Sequence, residues 1–246
     1  MQNKIVDSQS LSKVPAVTLA FWVTKIAATT LGETGGDEVT MSMNLGYLTG
    51  TLIFAIIFLV AVVVQIKRHS FNKWIYWLTV VATTTVGTTL ADFADRSLGI
   101  GYLGGTLLLS TLLVLSLFVW RITCGTIAVN SVNNGVTECF YWITIMFSQT
   151  LGTALGDWTA DSEGLGYDGG ILLFVGALAL IWAASRFTSL SRTALFWAAF
   201  ILTRPLGAVV GDFLDKPAAS GGLALIIIAF LWLLPQRAAM KTATAS

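Results

Sequence analysis

Residues 29–37 read TTLGETGGD, and three related stretches follow along the chain. They are TTVGTTLAD at 84–92, QTLGTALGD at 149–157 and RPLGAVVGD at 204–212. The last residue of each stretch is an aspartate: Asp37, Asp92, Asp157 and Asp212. Because one phrase recurs in the same register, the sequence indicates four copies of one structural unit. Four carboxylates therefore arrive at equivalent positions.

The composition is that of a membrane protein. The chain has 246 residues, of which 55% are hydrophobic and 11% are charged, against about 25% charged in soluble domains. Eight apolar segments approach the roughly 20 residues that a membrane-spanning helix needs. They lie at about 14–31, 46–66, 74–91, 101–120, 139–156, 166–184, 193–211 and 221–235. We predict an all-α membrane protein with eight transmembrane helices.

The apolar segments pair into four two-helix repeats. These cover about 14–66, 72–120, 139–185 and 193–235. A longer polar linker at 121–138 separates the two halves, and it is rich in residues that favour turns. Because each repeat holds an even number of spans, all four repeats have the same orientation. We therefore predict parallel repeats around a pseudo-symmetry axis, with 1–246 forming a single transmembrane domain.

The basic residues predict the orientation of the chain. Before the first helix and after each even helix lie Lys13, Lys67, Arg68, Arg121 and Arg186, among others. The opposite loops hold only Arg96 and Lys216. By the positive-inside rule, both termini are predicted to be cytoplasmic.

The small residues of the repeated phrase allow two interpretations. Two small residues four positions apart share one face of a helix and let helix backbones approach closely in lipid. Alternatively, the glycines let the helix unwind and expose carbonyl groups to an ion, which is tolerated only where the backbone lines a cavity.

The aspartates also allow two interpretations. A ring of carboxylates attracts cations and supplies oxygen ligands for hard ions such as Mg²⁺, Ca²⁺ or Mn²⁺. The simpler alternative is that each aspartate ends a helix among solvated lipid headgroups. The recurrence of one register favours the ring, so Asp37, Asp92, Asp157 and Asp212 are candidate metal ligands.

Three ionisable residues interrupt the agreement between the copies: Lys25, Glu33 and Arg204. The other copies carry uncharged residues at the aligned positions. Ionisable groups at this depth are costly, face the protein interior and pair with one another. Lys25 and Glu33 are separated by about 12 Å along a helix and do not pair directly. Lys25 or Arg204 must find partners on other repeats, and the motif carboxylates are the nearest candidates. We also expect Lys25 and Arg204 to act as internal counter-charges to Glu33.

Threonines and tryptophans accompany each copy. Thr30, Thr85 and Thr150 either donate hydrogen bonds to helix carbonyls or line a polar pore. The repeated tryptophans are Trp22, Trp77, Trp142 and Trp197. Their position towards one end of the odd helices is typical of an aromatic belt at the membrane interface.

The tryptophan, the Thr-x-Gly-x-x-x-Gly-Asp phrase and the paired spans resemble a family of bacterial membrane proteins. That family is built from four tandem copies of a two-span repeat of unknown function, the DUF347 repeat. The resemblance covers about residues 15–235, with Arg204-Pro205 in place of Thr-Thr and Ala91 in place of glycine. It implies the eight-span topology, a bacterial origin and location in the inner membrane. It implies no activity.

The sequence predicts a membrane transporter of a small cation, with a divalent metal favoured and proton coupling as an option. The site would lie on the axis and comprise the four motif aspartates, Glu33, Lys25, Arg204 and the repeated threonines. Two alternatives remain open: a small anionic metabolite bound by Lys25 and Arg204, or a non-transport scaffold or sensor. The partners are the lipid bilayer and a small ion or molecule. No enzyme motif, cofactor motif or nucleic-acid-binding motif is present in the sequence.

Overall fold

The computed structural model describes residues 11–162, 164–214, 217–233 and 237–240. Lys216 and the chain termini lie outside the described residues. The helices, in chain order, are α1 (Leu19–Asp37), α2 (Tyr47–Lys67), α3 (Lys73–Asp92), α4 (Gly101–Cys124), α5 (Gly135–Asp157), α6 (Gly166–Phe187), α7 (Arg192–Leu214) and α8 (Pro217–Leu233). Two short antiparallel strands accompany them, β1 (Leu11–Pro15) and β2 (Ala238–Met240).

Local chemistry determines where the helices begin. The side chain of Asn72 accepts hydrogen bonds from the first backbone N–H groups of α3, and Asn134 forms a capping box with Thr137 at the start of α5. Glycines with positive φ precede or open the even helices, at Gly46, Gly101 and Gly166. This conformation favours glycine. It explains why a glycine follows each of the first three motif aspartates by nine residues.

Two predicted boundaries are wrong. The segment predicted to open helix 1 at about residue 14 instead forms β1, whose Ser12 hydroxyl donates to the carbonyl of Val129. Helix α1 begins at Leu19 and continues through the whole motif. The predicted linker at 121–138 is also too long, because α4 continues to Cys124 and α5 starts at Gly135. The chain is helical, as predicted, with one small sheet that was not predicted.

The odd helices form a closed ring. Helix α1 contacts α3, α3 contacts α5, α5 contacts α7, and α7 contacts α1. The even helices lie outside, and each packs on the odd helix of the following repeat: α2 on α3, α4 on α5, α6 on α7, and α8 on α1. Neighbouring repeats are therefore interlocked. The fourfold relation between the copies stays a prediction.

The outer surface is apolar. Helices α2, α4, α6 and α7 are long and apolar enough to cross a membrane. Large side chains on α2, α4 and α6 are exposed, among them Ile56, Leu107 and Leu172. Continuous apolar surface of this extent suits lipid rather than water. The chain is therefore a membrane protein with four candidate spans, and the count of eight stays a prediction.

Candidate functional site

Aligned positions of the odd helices stack as five layers inside the ring. Each layer is named here by its first-copy residue: Phe21, Lys25, Thr29, Glu33 and Asp37. Residues four apart share a helix face and are about 6 Å apart along the axis. In every layer, contacts join residues of different repeats. The layers run from an aromatic end to an acidic end.

The Phe21 layer and its neighbours form the aromatic end. Tyr76 and Tyr141 share a hydrogen bond of 2.6 Å between their hydroxyl groups, and the ring of Phe21 lies 6.1 Å from that of Phe196. The adjacent tryptophans Trp77, Trp142 and Trp197 are 1%, 2% and 3% exposed. The interpretation of these three as an interfacial belt is therefore wrong. They pack within the protein core, where aromatic rings contribute large buried areas.

Lys25 lies in the next layer without an acidic partner. Its side chain is fully buried, and Nζ lies 3.9 Å from the centroid of the Phe200 ring. Among the described residues, Nζ has no hydrogen-bond partner. The prediction that Lys25 pairs with a motif carboxylate is thus wrong. The ring quadrupole of Phe200 provides the only favourable electrostatic contact recorded for this amine in the part of the chain described.

Arg204, on α7, contacts residues of the other three odd helices inside the ring. Its Nη1 lies 2.6 Å from Oε2 of Glu33, and both side chains are almost fully buried. Its Nη2 donates to the hydroxyls of Thr88 and Thr153, the residues aligned with Glu33. Both threonine hydroxyls also lie within 3.4 Å of Glu33 Oε2. Arg204 therefore lies against Glu33, the counter-charge arrangement that the sequence suggested, and not against a motif aspartate.

The four motif aspartates form the acidic end, but they differ in burial and in their ion pairs. Asp92 and Asp157 are 3% and 5% exposed, and Arg96 lies between them. Asp37 and Asp212 are half-buried. Together with Glu33 they each offer one carboxylate oxygen, and these atoms lie within 4.8 Å of one another. The four motif aspartates therefore form an acidic ring with two halves. Asp92 and Asp157 contact Arg96, whereas Asp37 and Asp212 lie close to Glu33.

The repeated glycines pack the ring. A Cβ on Gly32, Gly87, Gly152 or Gly207 would collide with the next helix, at the aligned residues Thr84, Gln149, Arg204 and Thr29 respectively. Because α1, α3, α5 and α7 continue through the motifs as helices, the unwound interpretation is wrong. The close-packing interpretation is confirmed, since only glycine allows this approach.

The predicted threonines are occupied within their own helices. Thr30, Thr85 and Thr150 each donate to the carbonyl four residues earlier, at 3.0 Å. The threonines that contact the charged pair are Thr88 and Thr153 instead. Their alignment with Glu33 is the sequence signal that could have placed them there.

Arg96 is the charged residue that sequence reasoning assigned only to topology. It lies on a π-helical turn (Phe93–Ser97) directly after Asp92. Similar turns follow Asp37 and Asp157. The available signal was the spacing, because an arginine four residues after an aspartate reaches it on one helical face. Its contact with Asp157 required the fold.

The burial of Asp95, on the same turn, affects the stability of the protein in a way that depends on pH. Its side chain is buried and Oδ1 has no hydrogen-bond partner among the described residues. Burial raises the pKa of Asp95 to about 6, and the nearby Arg96 opposes that rise. Because the pKa of Asp95 is higher in the folded than in the unfolded protein, the folded protein is favoured at a pH below the unfolded pKa. This contribution to the free energy of unfolding is lost as the pH rises through about 6.

Asp95→Asn is therefore expected to stabilise the protein at about pH 8 and to have little effect at about pH 3, which lies below both the folded pKa of about 6 and the unfolded pKa of about 3.9. The melting temperature of the variant should exceed that of the wild type by about 2–4 °C at the higher pH, which corresponds to about 1 kcal/mol for a chain of this size. Thermal melts of both proteins in detergent at the two pH values measure the difference. An equal difference at both values would show that the Asp95 carboxylate carries no burial cost.

A separate cavity of 870 Å³ opens between α1, α6 and α7. Trp22, Ile26, Trp182 and Phe196 are among its lining residues, and none of the motif carboxylates borders it. The side chains of Lys25, Glu33 and Arg204 are not among its lining residues either. The candidate site is therefore the acidic end of the ring rather than this cavity.

The fold and the site define a helical membrane protein with four internal repeats and a cluster of carboxylates at one end of its ring of helices. The chain belongs to the family described as Repeat of Unknown Function (DUF347), whose repeat matches residues 20–70, 75–126, 140–190 and 195–238. The predicted repeat family is thereby confirmed. No curated protein and no solved structure matches the chain.

Proposed function

We propose that this protein is a bacterial inner-membrane transporter of a small divalent cation. In this proposal the eight helices span the membrane as four parallel repeats around an axis, with both termini in the cytoplasm. The observation that carries the proposal is the cluster of Glu33, Asp37 and Asp212, whose ligand oxygens lie within 4.8 Å of one another. Carboxylate oxygens are the ligands that hard divalent cations take in proteins.

The charge balance at the acidic end supports a cation. Five carboxylates lie at or next to this end of the ring, those of the four motif aspartates and of Glu33. Two guanidinium groups oppose them, those of Arg96 and Arg204. An excess of negative charge between low-dielectric walls raises the local concentration of cations. An anionic substrate would meet repulsion at the same place.

The ion pair of Glu33 and Arg204 sets the condition for transport. Glu33 belongs both to the carboxylate cluster and to the buried pair. A cation that takes Glu33 as a ligand therefore competes with Arg204, and passage along the axis requires the pair to separate. A proton on Glu33 would release Arg204 in the same way. The proposal thus includes proton coupling at this residue.

The sharpest test removes ligands without disturbing the buried pair. Asp37→Asn and Asp212→Asn are each expected to weaken Mn²⁺ binding about tenfold, which corresponds to about 1.4 kcal/mol. Uptake into proteoliposomes that contain a fluorescent chelator measures transport, and titration of the purified protein measures binding. Asp168→Asn is the matched control, because Asp168 is an exposed acid on the first turn of α6 and is expected to leave both readouts unchanged.

Two outcomes would replace the proposal. If Mg²⁺, Mn²⁺, Ca²⁺ and Zn²⁺ are neither bound nor moved, the close packing of the ring favours the scaffold or sensor alternative. If charge reversal at Arg204 abolishes binding of an anionic metabolite, the anion transporter is correct. The engagement of Arg204 by Glu33, Thr88 and Thr153 argues against the second outcome.

A further inference from the structure

Arg96 places a cation of the chain itself inside the acidic ring. Its Nε lies 3.3 Å from Oδ1 of Asp92, and its Nη2 lies 3.4 Å from Oδ2 of Asp157. The guanidinium therefore joins carboxylates from two different repeats. Neither Asp37 nor Asp212 forms an ion pair with any residue that the structure describes. Among the described residues, one pair of motif aspartates therefore shares a guanidinium and the other pair has no basic partner.

The contacts of Arg96 with Asp92 and Asp157 are weak enough for another cation to take its place. Distances of 3.3 and 3.4 Å exceed the roughly 2.7–2.9 Å of strong charge-assisted hydrogen bonds. The Arg96 side chain is 39% exposed, although its two partners are nearly buried. A half-exposed guanidinium at these distances holds its place mainly through charge. A metal ion could supply that charge at the same carboxylates.

The residues aligned with Arg96 differ in charge between the copies. Arg96 aligns with Met41, Asp161 and Lys216. Asp161 instead accepts a hydrogen bond from the hydroxyl of Tyr102. Lys216 follows Asp212 by four residues, but its placement lies outside the described residues. A test must therefore neutralise Lys216 as well as Arg96.

We propose that Arg96 acts as a tethered cation that excludes metal from the Asp92 and Asp157 half of the ring, so that the chain binds one divalent cation instead of two. The inference rests on the proposed cation site and adds its stoichiometry and the residue that determines it. Removing Arg96 opens a second oxygen-ligand site of the same chemical class. Arg96 is thus a specificity-determining residue rather than a ligand.

The test counts Mn²⁺ ions bound per chain, by electron paramagnetic resonance of free Mn²⁺ during titration of the full-length protein in detergent. Wild type is expected to bind one ion, and Arg96→Gln is expected to bind two. The second ion should disappear when Asp92→Asn and Asp157→Asn are added to Arg96→Gln. Lys216→Gln is the matched control, because it removes one positive charge from the aligned position and should leave the count at one.

A second variant keeps the test independent of the folding of Arg96→Gln. Asp92→Asn with Asp157→Asn, in the presence of Arg96, is expected to leave the count at one, since that half carries no metal in the wild type. A fall to zero would overturn the inference. A count of one in well-folded Arg96→Gln would also overturn it, while leaving the proposed function intact.

The failure of the proposed function has a different signature. In that case wild type binds no Mn²⁺, and Asp37→Asn changes nothing. If Arg96→Gln then binds one ion that Asp92→Asn removes, the exclusion by Arg96 stands and the site at Glu33, Asp37 and Asp212 fails. If Lys216→Gln alone raises the count to two, Lys216 and not Arg96 determines the stoichiometry, and the inference is overturned.

Discussion

Replacing Arg204 with glutamine is expected to destabilise the protein by about 3–5 kcal/mol, the usual cost of removing one partner from a buried ion pair. The reason is the position of Glu33, which is 2% exposed and has its Oε2 2.6 Å from Arg204 Nη1. Without the guanidinium, Glu33 keeps only the hydroxyls of Thr88 and Thr153 as hydrogen-bond partners within the described part of the chain. At about 2–4 °C per kcal/mol for a chain of this size, the melting temperature should fall by about 10 °C.

The third copy of the repeat shows which pair of residues could replace Glu33 and Arg204 together. The third copy carries Gln149 at the position of Arg204 and Thr153 at the position of Glu33. Glu33→Thr combined with Arg204→Gln therefore introduces residues that the ring already holds at equivalent places. We expect the double variant to regain most of the lost stability, because it leaves no unpaired buried charge, which is the main cost of removing one partner alone.

A double-mutant cycle measures the coupling between the two sites. Thermal melts of wild type, the two single variants and the double variant in one detergent provide the four values. Strictly additive losses would show that Glu33 and Arg204 do not stabilise each other. The same four proteins in the Mn²⁺ titration show whether the pair also controls access of a cation to Glu33.

Gly87→Ala is expected to destabilise the protein by about 1–3 kcal/mol, the range for overpacking a tight interface. A Cβ at this position would lie 3.0 Å from the backbone C of Gln149 and 3.0 Å from the backbone N of Thr150. These atoms belong to the backbone of α5 and cannot rotate away as a side chain could. Helices α3 and α5 would have to separate, and the ring would open at that interface.

Gly35→Ala is the matched control for this prediction. Gly35 lies in the motif of α1, and an added Cβ there would meet nothing within 4 Å. Alanine should therefore stabilise the helix by about 0.5–1 kcal/mol through its higher helix propensity. Chemical or thermal unfolding in detergent compares the two variants. If Gly87→Ala proves as stable as Gly35→Ala, close packing does not explain the repeated glycines.

Much of the site could be predicted because repetition makes departures visible. Four aspartates in one register predicted an acidic ring, and the unmatched residues Lys25, Glu33 and Arg204 were recognisable as buried charges. Which of the two cations pairs with Glu33 was not predictable. Glu33 and Arg204 are far apart in sequence and meet because α7 closes the ring on α1. Lys25 lies one layer away from Arg204 and rests on Phe200 instead.

The tryptophans were wrongly predicted to lie at the membrane interface, for a related reason. A tryptophan near one end of an apolar segment is typical of a membrane interface. Trp77, Trp142 and Trp197 have that position in sequence, yet they face neighbouring helices of the ring. A helix turns by about 100° per residue, so the face that a residue occupies depends on how its helix is rotated. The rotation follows from packing rather than from position along the chain.

The sequence by itself determined the repeat, the helical class, the membrane environment and the recurrence of the motif aspartates. These follow from local composition and periodicity, which are properties of consecutive residues. Only the tertiary structure decided that α1 meets α7, that Arg204 pairs with Glu33, and that Arg96 divides the ring. These contacts join different repeats, and the aligned phrases are nearly alike. The order of helices around the ring therefore decides which copy meets which, and that order is a property of the packed structure.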